Sequence, residues 1–278
     1  VMHRSRGQTT ALLVGRPPPA LGEEPDSSLL LAHAFRLVAN MPEHVSIVPA
    51  GLLPPVPAAL DGIDHVAIAG GRVEADPAGI ESLRHWLQGG GKIWVMLDRT
   101  GPEVLRGLLG EDPSLEVVDR VGLTTVRLTG RRGEVVLEPR DFEQPVELVR
   151  VLAGPAWQTI HEADGWPASL VRRVGRGKVI VTTLGPAAWM QPRAKNAPRA
   201  PYLRFPNLPV PEKALGELAA EFRPRSIHPF TSDDLWPLLN EEIGYNVWER
   251  RPTLSKRWAC WCGLSMAPFL LPRLNSMQ

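Results

Sequence analysis

Apolar residues along the first hundred positions fall into two rhythms, short continuous runs and helical spacings, which alternate. Thr10-Ala-Leu-Leu-Val-Gly15 is a short run ending in glycine and predicts a first buried strand. Asp26 or Ser27 can cap a helix whose Leu30, Leu31, Ala34, Leu37 and Val38 share a face until Pro42 stops it. Val45-Ser-Ile-Val48 and His65 to Ala69 read as the second and third strands. Asp76-Pro77 then supplies an N-cap and, at the first helical position, the one residue that needs no N–H there. Ile80, Leu83, Trp86 and Leu87 form the apolar face of this helix, with Glu81, Arg84, His85 and Gln88 turned away. Gly89-Gly-Gly91 ends it by allowing positive φ. Lys92 to Leu97 is the fourth strand and Pro102 to Leu109 a short helix.

From Leu115 to about Leu184 the rhythm changes to clustered or alternating β-branched residues separated by Gly or Pro. Ser169 to Val174, Gly175-Arg-Gly177 and Lys178 to Thr183 read as a hairpin within this stretch. Pro186 to Pro211 is a proline-rich, basic surface excursion, and Glu212 to Phe222 and Asp233 to Ile243 have helical spacing. The expected fold class is therefore α/β, a doubly wound and mainly parallel sheet with a β-rich extension and an irregular proline-rich C-terminal region. Residues 1–190 form the α/β domain, extension included at about 115–184, and residues 191–278 the linker, short helices and tail. The start at Val1 and the unpatterned tail from Glu249 read as signs of a fragment or an altered C-terminus.

Composition narrows the function classes. Thirty-one basic against 30 acidic side chains give a net charge of +1, which removes the electrostatic case for nucleic-acid binding. No run of apolar residues is long enough for a transmembrane helix, and the apolar segment near the N-terminus is too short for a signal peptide. Cys260 and Cys262 lack a second ligand pair, and the seven histidines show no metal-ligand spacing. His33, His65 and His85 read as structural or solvated. Neither a metal nor a cofactor is implied.

Candidate chemistry sits in the loops after the third and fourth strands, where open α/β sheets place their ligands. Gly70-Gly71-Arg72 could aim backbone N–H groups and a guanidinium at an anionic oxygen. Asp98-Arg99 offers a carboxylate for acid–base or nucleophilic work; the plainer reading has Asp98 capping the Pro102 helix or pairing with Arg99. Gly89-Gly-Gly91-Lys92 and Gly175-Arg-Gly177-Lys178 precede strands and lack the flanking residues of a phosphate loop. The candidate ligand-binding residues are thus Gly70, Gly71, Arg72, Asp98 and Arg99, none of them catalytic.

Ser82-Leu-Arg-His-Trp-Leu-Gln-Gly-Gly-Gly-Lys-Ile-Trp-Val95 and Gly175-Arg-Gly-Lys-Val-Ile-Val-Thr-Thr-Leu-Gly-Pro-Ala-Ala-Trp189 resemble phrases of the class I glutamine amidotransferase-like fold. The likeness spans about residues 10 to 190 and is to non-catalytic versions in bacterial membrane-associated proteins. Gly70-Gly71 matches the oxyanion glycines of the catalytic relatives. Met96-Leu-Asp-Arg-Thr-Gly101 has Leu97 or Asp98 where their cysteine would stand, and neither His161-Glu162 nor His228 supplies their His-x-Glu. The resemblance implies a non-catalytic ligand-binding or interaction module with an unknown protein partner in an envelope assembly. Any membrane attachment would lie outside this chain. The alternative is a hydrolase-type enzyme using a crevice at Gly70, Gly71, Arg72 and Asp98, acting on an anionic or carbohydrate substrate.

Overall fold

The computed structural model describes residues 10–15, 25–42, 44–70, 73–110, 113–193 and 208–222. In chain order the elements are β1 (Thr10–Val14), α1 (Ser27–Val38), β2 (Val45–Val48), β3 (Ile63–Ile68), α2 (Pro77–Gly89), β4 (Lys92–Met96) and α3 (Glu103–Leu109). There follow β5 (Leu115–Gly130), β6 (Val135–Ala153), β7 (Gln158–Ala163), β8 (Trp166–Val174), β9 (Gly177–Thr182), β10 (Met190–Gln191), β11 (Val210–Pro211) and α4 (Lys213–Ala220). The expected helix at Asp233 to Ile243 and the Cys260/Cys262 pair lie outside the described residues.

Nine strands share one sheet in the order β2-β1-β3-β4-β9-β8-β7-β5-β6. The first five are parallel to one another, and the pairings from β9 through β6 are antiparallel. The class is α/β, but the expectation of a doubly wound, mainly parallel sheet is corrected to a large mixed one. The β-rich stretch adds strands to the same ladder because β9 has hydrogen-bonding edges on both sides. It pairs with β4 through one and with β8 through the other.

The parallel strands are buried on both faces, as their near-continuous apolar composition requires. Leu12, Val66, Ile68, Ile93 and Val95 pack with α2 and α3 through Ile80, Leu83, Leu87, Val104, Leu105 and Leu108. Ala11, Leu13, Trp94 and Met96 face the other way, onto Phe35 of α1 and Leu215, Leu218 and Phe222 of and beside α4. Asp76 caps α2 by accepting from the Gly79 N–H at 2.9 Å. Gly90 closes it at φ 125°, a conformation that favours glycine.

The antiparallel half closes on itself. Opposite Thr124, β6 bulges between Asp141 and Val146, and this kink redirects the strand. Its Glu147–Val149 stretch then pairs with the segment that continues β9. Val149 donates to Thr183 O at 2.8 Å, Gly185 donates to Glu147 O at 2.8 Å, and Leu148 bridges Leu184. On its other side that segment still pairs with β8, through Thr183 N to Ala168 O at 3.1 Å. The ring β9-β8-β7-β5-β6 is filled by Val126, Leu128, Val146, Leu148, Ile160 and Leu184.

α4 is pinned by charge at the opposite end of the parallel strands. Lys92 Nζ donates to Phe222 O at 2.6 Å, and Lys178 Nζ donates to Glu221 O at 3.0 Å and to its carboxylate at 2.9 Å. Cations there meet the carbonyls left over at a helix C-terminus. Beneath them Arg36, fully buried, pairs with Asp64 at 3.2 Å.

Gly177 sets how closely α2 can approach β9. A Cβ there would lie 2.0 Å from Leu87 O and 2.4 Å from Gly91 O, both backbone. Gly177→Ala should therefore destabilise by roughly 2 kcal/mol or more. Gly216, inside α4, has open space where its Cβ would go, so Gly216→Ala should stabilise by about 0.5–1 kcal/mol. Urea midpoints at unchanged m-value check both signs.

Candidate functional site

The carboxyl ends of the parallel strands bring Gly70 and the Leu97–Thr100 turn together. Beyond β4 the chain turns sharply, the N–H groups of Arg99 and Thr100 both reaching Met96 O at 3.0 Å. Gly70, with φ 145°, lies across from this turn, so that a Cβ on it would sit 3.7 Å from Arg99 O. Gly70, Asp98 and Arg99 thus share one edge. Gly71 and Arg72 lie outside the described residues.

The Asp98 side chain is only 3% exposed, and Arg99 Nε stands 3.2 Å from its Oδ2. Arg99 in turn donates through Nη2 to the Ser27 hydroxyl at 2.7 Å, at the start of α1. The expected pairing with Arg99 is present. The alternative capping role is not: Pro102 occupies the N-cap of α3, which has no side-chain cap bond. Asp98 Oδ1 and Thr100 Oγ1 are buried on the same turn without a hydrogen-bond partner among the described residues.

Burial pushes the Asp98 carboxyl up to about 7. Arg99, the residue's own N–H and Arg120 pull in the opposite direction, while Glu147 adds to the rise. Desolvation outweighs two arginines because one of them is screened by solvent and the other is shared with Glu147. A carboxyl poised between acid and base near neutrality is the property a proton-transfer group requires.

Two members of the site come from the β-rich half and could not be placed from the sequence. Arg120 of β5 donates to the carbonyls of Leu97 at 2.9 Å, Thr100 at 3.3 Å and Asp98 at 3.4 Å. Its Nη1 also ion-pairs with Glu147 of β6. Only the closure of the antiparallel ring brings Glu147 beside the turn after β4, and no local spacing signals that closure.

A serine, a histidine and a carboxylate meet elsewhere. His161 Nδ1 is 2.8 Å from Ser169 Oγ and its Nε2 3.1 Å from Glu217. Ser169 and His161 are wholly buried, and the row ties α4 to β7 and β8. His65 is buried between Phe35 and Phe222, with ring centroids 5.3 and 5.7 Å away. Neither of its ring nitrogens has a hydrogen-bond partner among the described residues. Burial, and then the charges of Arg36 and Lys92, lower it to about 3. Among the described residues no three His, Cys, Asp or Glu side chains converge as metal ligands.

No family model matches the sequence, and no curated protein matches it. Solved structures do. A cytoplasmic protein, STM1381, of Salmonella typhimurium LT2 aligns at 17% identity and TM-score 0.44, over 64% of this chain and 88% of that one. An exo-beta-1,4-mannosidase of Opitutaceae bacterium strain TAV5 aligns at 22% identity and TM-score 0.40, over 63% of this chain but 31% of the mannosidase. A beta-galactosidase of Rahnella sp. R3 aligns at 15% identity and TM-score 0.44, over 79% of this chain and 32% of the enzyme. This chain therefore spans about a third of those two enzymes, and likenesses this loose assign neither a family nor an activity.

The expected resemblance to glutamine amidotransferases is corrected here: no family model supports it, and the structures named above are two glycosidases and a cytoplasmic protein. The non-catalytic reading is corrected with it, since the turn after β4 holds a buried carboxyl pushed up to about 7. The membrane-associated setting is withdrawn as well, since no observation supports it. Among the described residues no helix is long and apolar enough to cross a membrane.

Asp98 and His65 should give stability opposite dependences on pH. Native Asp98 holds its proton to about pH 7, whereas an unperturbed carboxyl releases it near 3.8. The native state then binds more protons between those values, and stability falls as pH rises through them. Asp98→Asn should abolish that fall; an unfolding free-energy gap between the two proteins that stays constant from pH 4 to 7 would refute it. His65 is neutral down to about pH 3 when folded and to 6.5 when unfolded. Stability should drop as pH is lowered from 6.5, and less in His65→Phe. Urea titrations at pH 7 and pH 4.5 read the difference.

Proposed function

We propose that this chain is a hydrolase-type enzyme whose acid–base group is Asp98. The observation that carries the reading is the burial of this carboxyl at the strand edge, with its pKa raised to about 7 and one oxygen without a hydrogen-bond partner among the described residues. As the acid, Asp98 gives its proton to the leaving oxygen while the bond between that oxygen and the substrate's electrophilic atom breaks. Water supplies the new bond to that atom, and its proton returns to the Asp98 carboxylate, so the group ends as it began. Arg99, whose guanidinium is partly exposed beside Asp98, presents donors to a carboxylate, a phosphate or sugar hydroxyls. Anionic or carbohydrate substrates therefore fit this reading. Gly70 faces this turn, a Cβ on it falling 3.7 Å from Arg99 O.

The test is turnover of p-nitrophenyl glycosides, phosphates and carboxylic esters by the full chain and by Asp98→Asn. Turnover should fall as pH rises through about 7, because the acid must be protonated. Asp98→Asn should lower kcat by about 10²-fold or more. Equal rates in the two proteins, or no turnover across the panel, would overturn the assignment.

A further inference from the structure

The turn that carries Asp98 is held from the other half of the sheet. Of the four carbonyls at positions 97–100, the Arg120 guanidinium takes three, those of Leu97, Asp98 and Thr100. Its remaining hold is on Glu147, which lies diagonally across the β5–β6 ladder, Arg120 facing Val149 and Gly122 facing Glu147. Glu147 is itself fixed at the backbone, where its carbonyl accepts from Gly185 N in the ring closure. A planar fork can bridge several acceptors at once, and an ammonium at the same place could not hold the same set.

We propose that Arg120 is the positioning residue of the Asp98 acid, with Glu147 anchoring its guanidinium, so that the β5–β6 ribbon holds the proton-transfer group of the β4 turn in place. The charged groups that reach Asp98 are Arg99 of its own turn, Arg120 of β5 and Glu147 of β6. Glu147 is part-exposed, so Glu147→Gln keeps the shape of the site while removing the charge. Arg120→Lys keeps the charge and removes the fork. The inference rests on the reading of Asp98 as an acid, yet its primary readout needs no substrate.

The experiment follows the Asp98 side-chain carboxyl carbon by NMR across pH in the full chain, assigned by comparison with Asp98→Asn. Glu147→Gln should lower the Asp98 midpoint by about half a pH unit or more, because a like charge has been removed. Arg120→Met should raise it by a similar amount, because the neighbouring cation is gone. Arg120→Lys should leave the midpoint near that of the native protein and broaden the backbone signals of residues 97–100. Where turnover is present, it should also lower kcat with KM unchanged. An Asp98 midpoint that none of the three substitutions moves, with the turn signals intact in Arg120→Lys, would overturn the positioning role. A shifted midpoint without turnover would leave that role standing and sink the hydrolase reading instead.

Discussion

β9 and the residues that follow it serve two ladders at once. One edge of β9 continues the parallel ladder from β4, and the other begins the antiparallel ladder to β8. From Thr183, one residue past β9, the same strand has left β4 and found β6. The relation that brings Arg120 and Glu147 to a turn built by β4 passes through this stretch of chain. The requirement is satisfied by small and β-branched residues. Gly177 admits the carbonyls of Leu87 and Gly91, Val179 and Val181 face α2 and α3, and Ile180 faces α1.

The two ends of the parallel strands are electrostatically unlike. At the carboxyl end, desolvation dominates and a carboxyl survives near neutrality in both protonation states. At the amino end Lys92 and Lys178 meet helix carbonyls, while Arg36 pairs with Asp64. The neutral His65 ring beneath them is treated by its surroundings as one more aromatic. The positive charge at that end thus fastens α4, and the protonatable acid stands at the other.

Local order was legible wherever one segment's own spacing decided it. Asp76 and Pro77 marked the start of α2, Gly90 its end, and Ala11, Leu13, Trp94 and Met96 the buried strands. Register and closure were not legible. Leu115–Gly130 and Val135–Ala153 read as several short strands because Gly122, Pro139 and Pro145 interrupt the apolar pattern, yet each segment forms one long strand kinked at a bulge. Asp98 was visible as a candidate, but its character depends on burial and on two residues 22 and 49 positions further along. Those separations have no periodicity to betray them. His161-Glu162 lacks the His-x-Glu spacing, and the carboxylate that meets His161 Nε2 is Glu217, 56 positions away.

α4 has a temporal consequence. Phe222 closes the pocket over Phe35 and His65, with the two phenylalanine rings 5.6 Å apart. Phe35 leaves the ribosome long before Phe222. At ordinary synthesis rates of about 5–20 residues per second, the apolar face of α1 and the Trp94 side of the sheet wait on the order of ten seconds or more for their cover. During that interval the nascent chain presents a half-built core to its surroundings, and whatever shields it must release it when the last helix arrives.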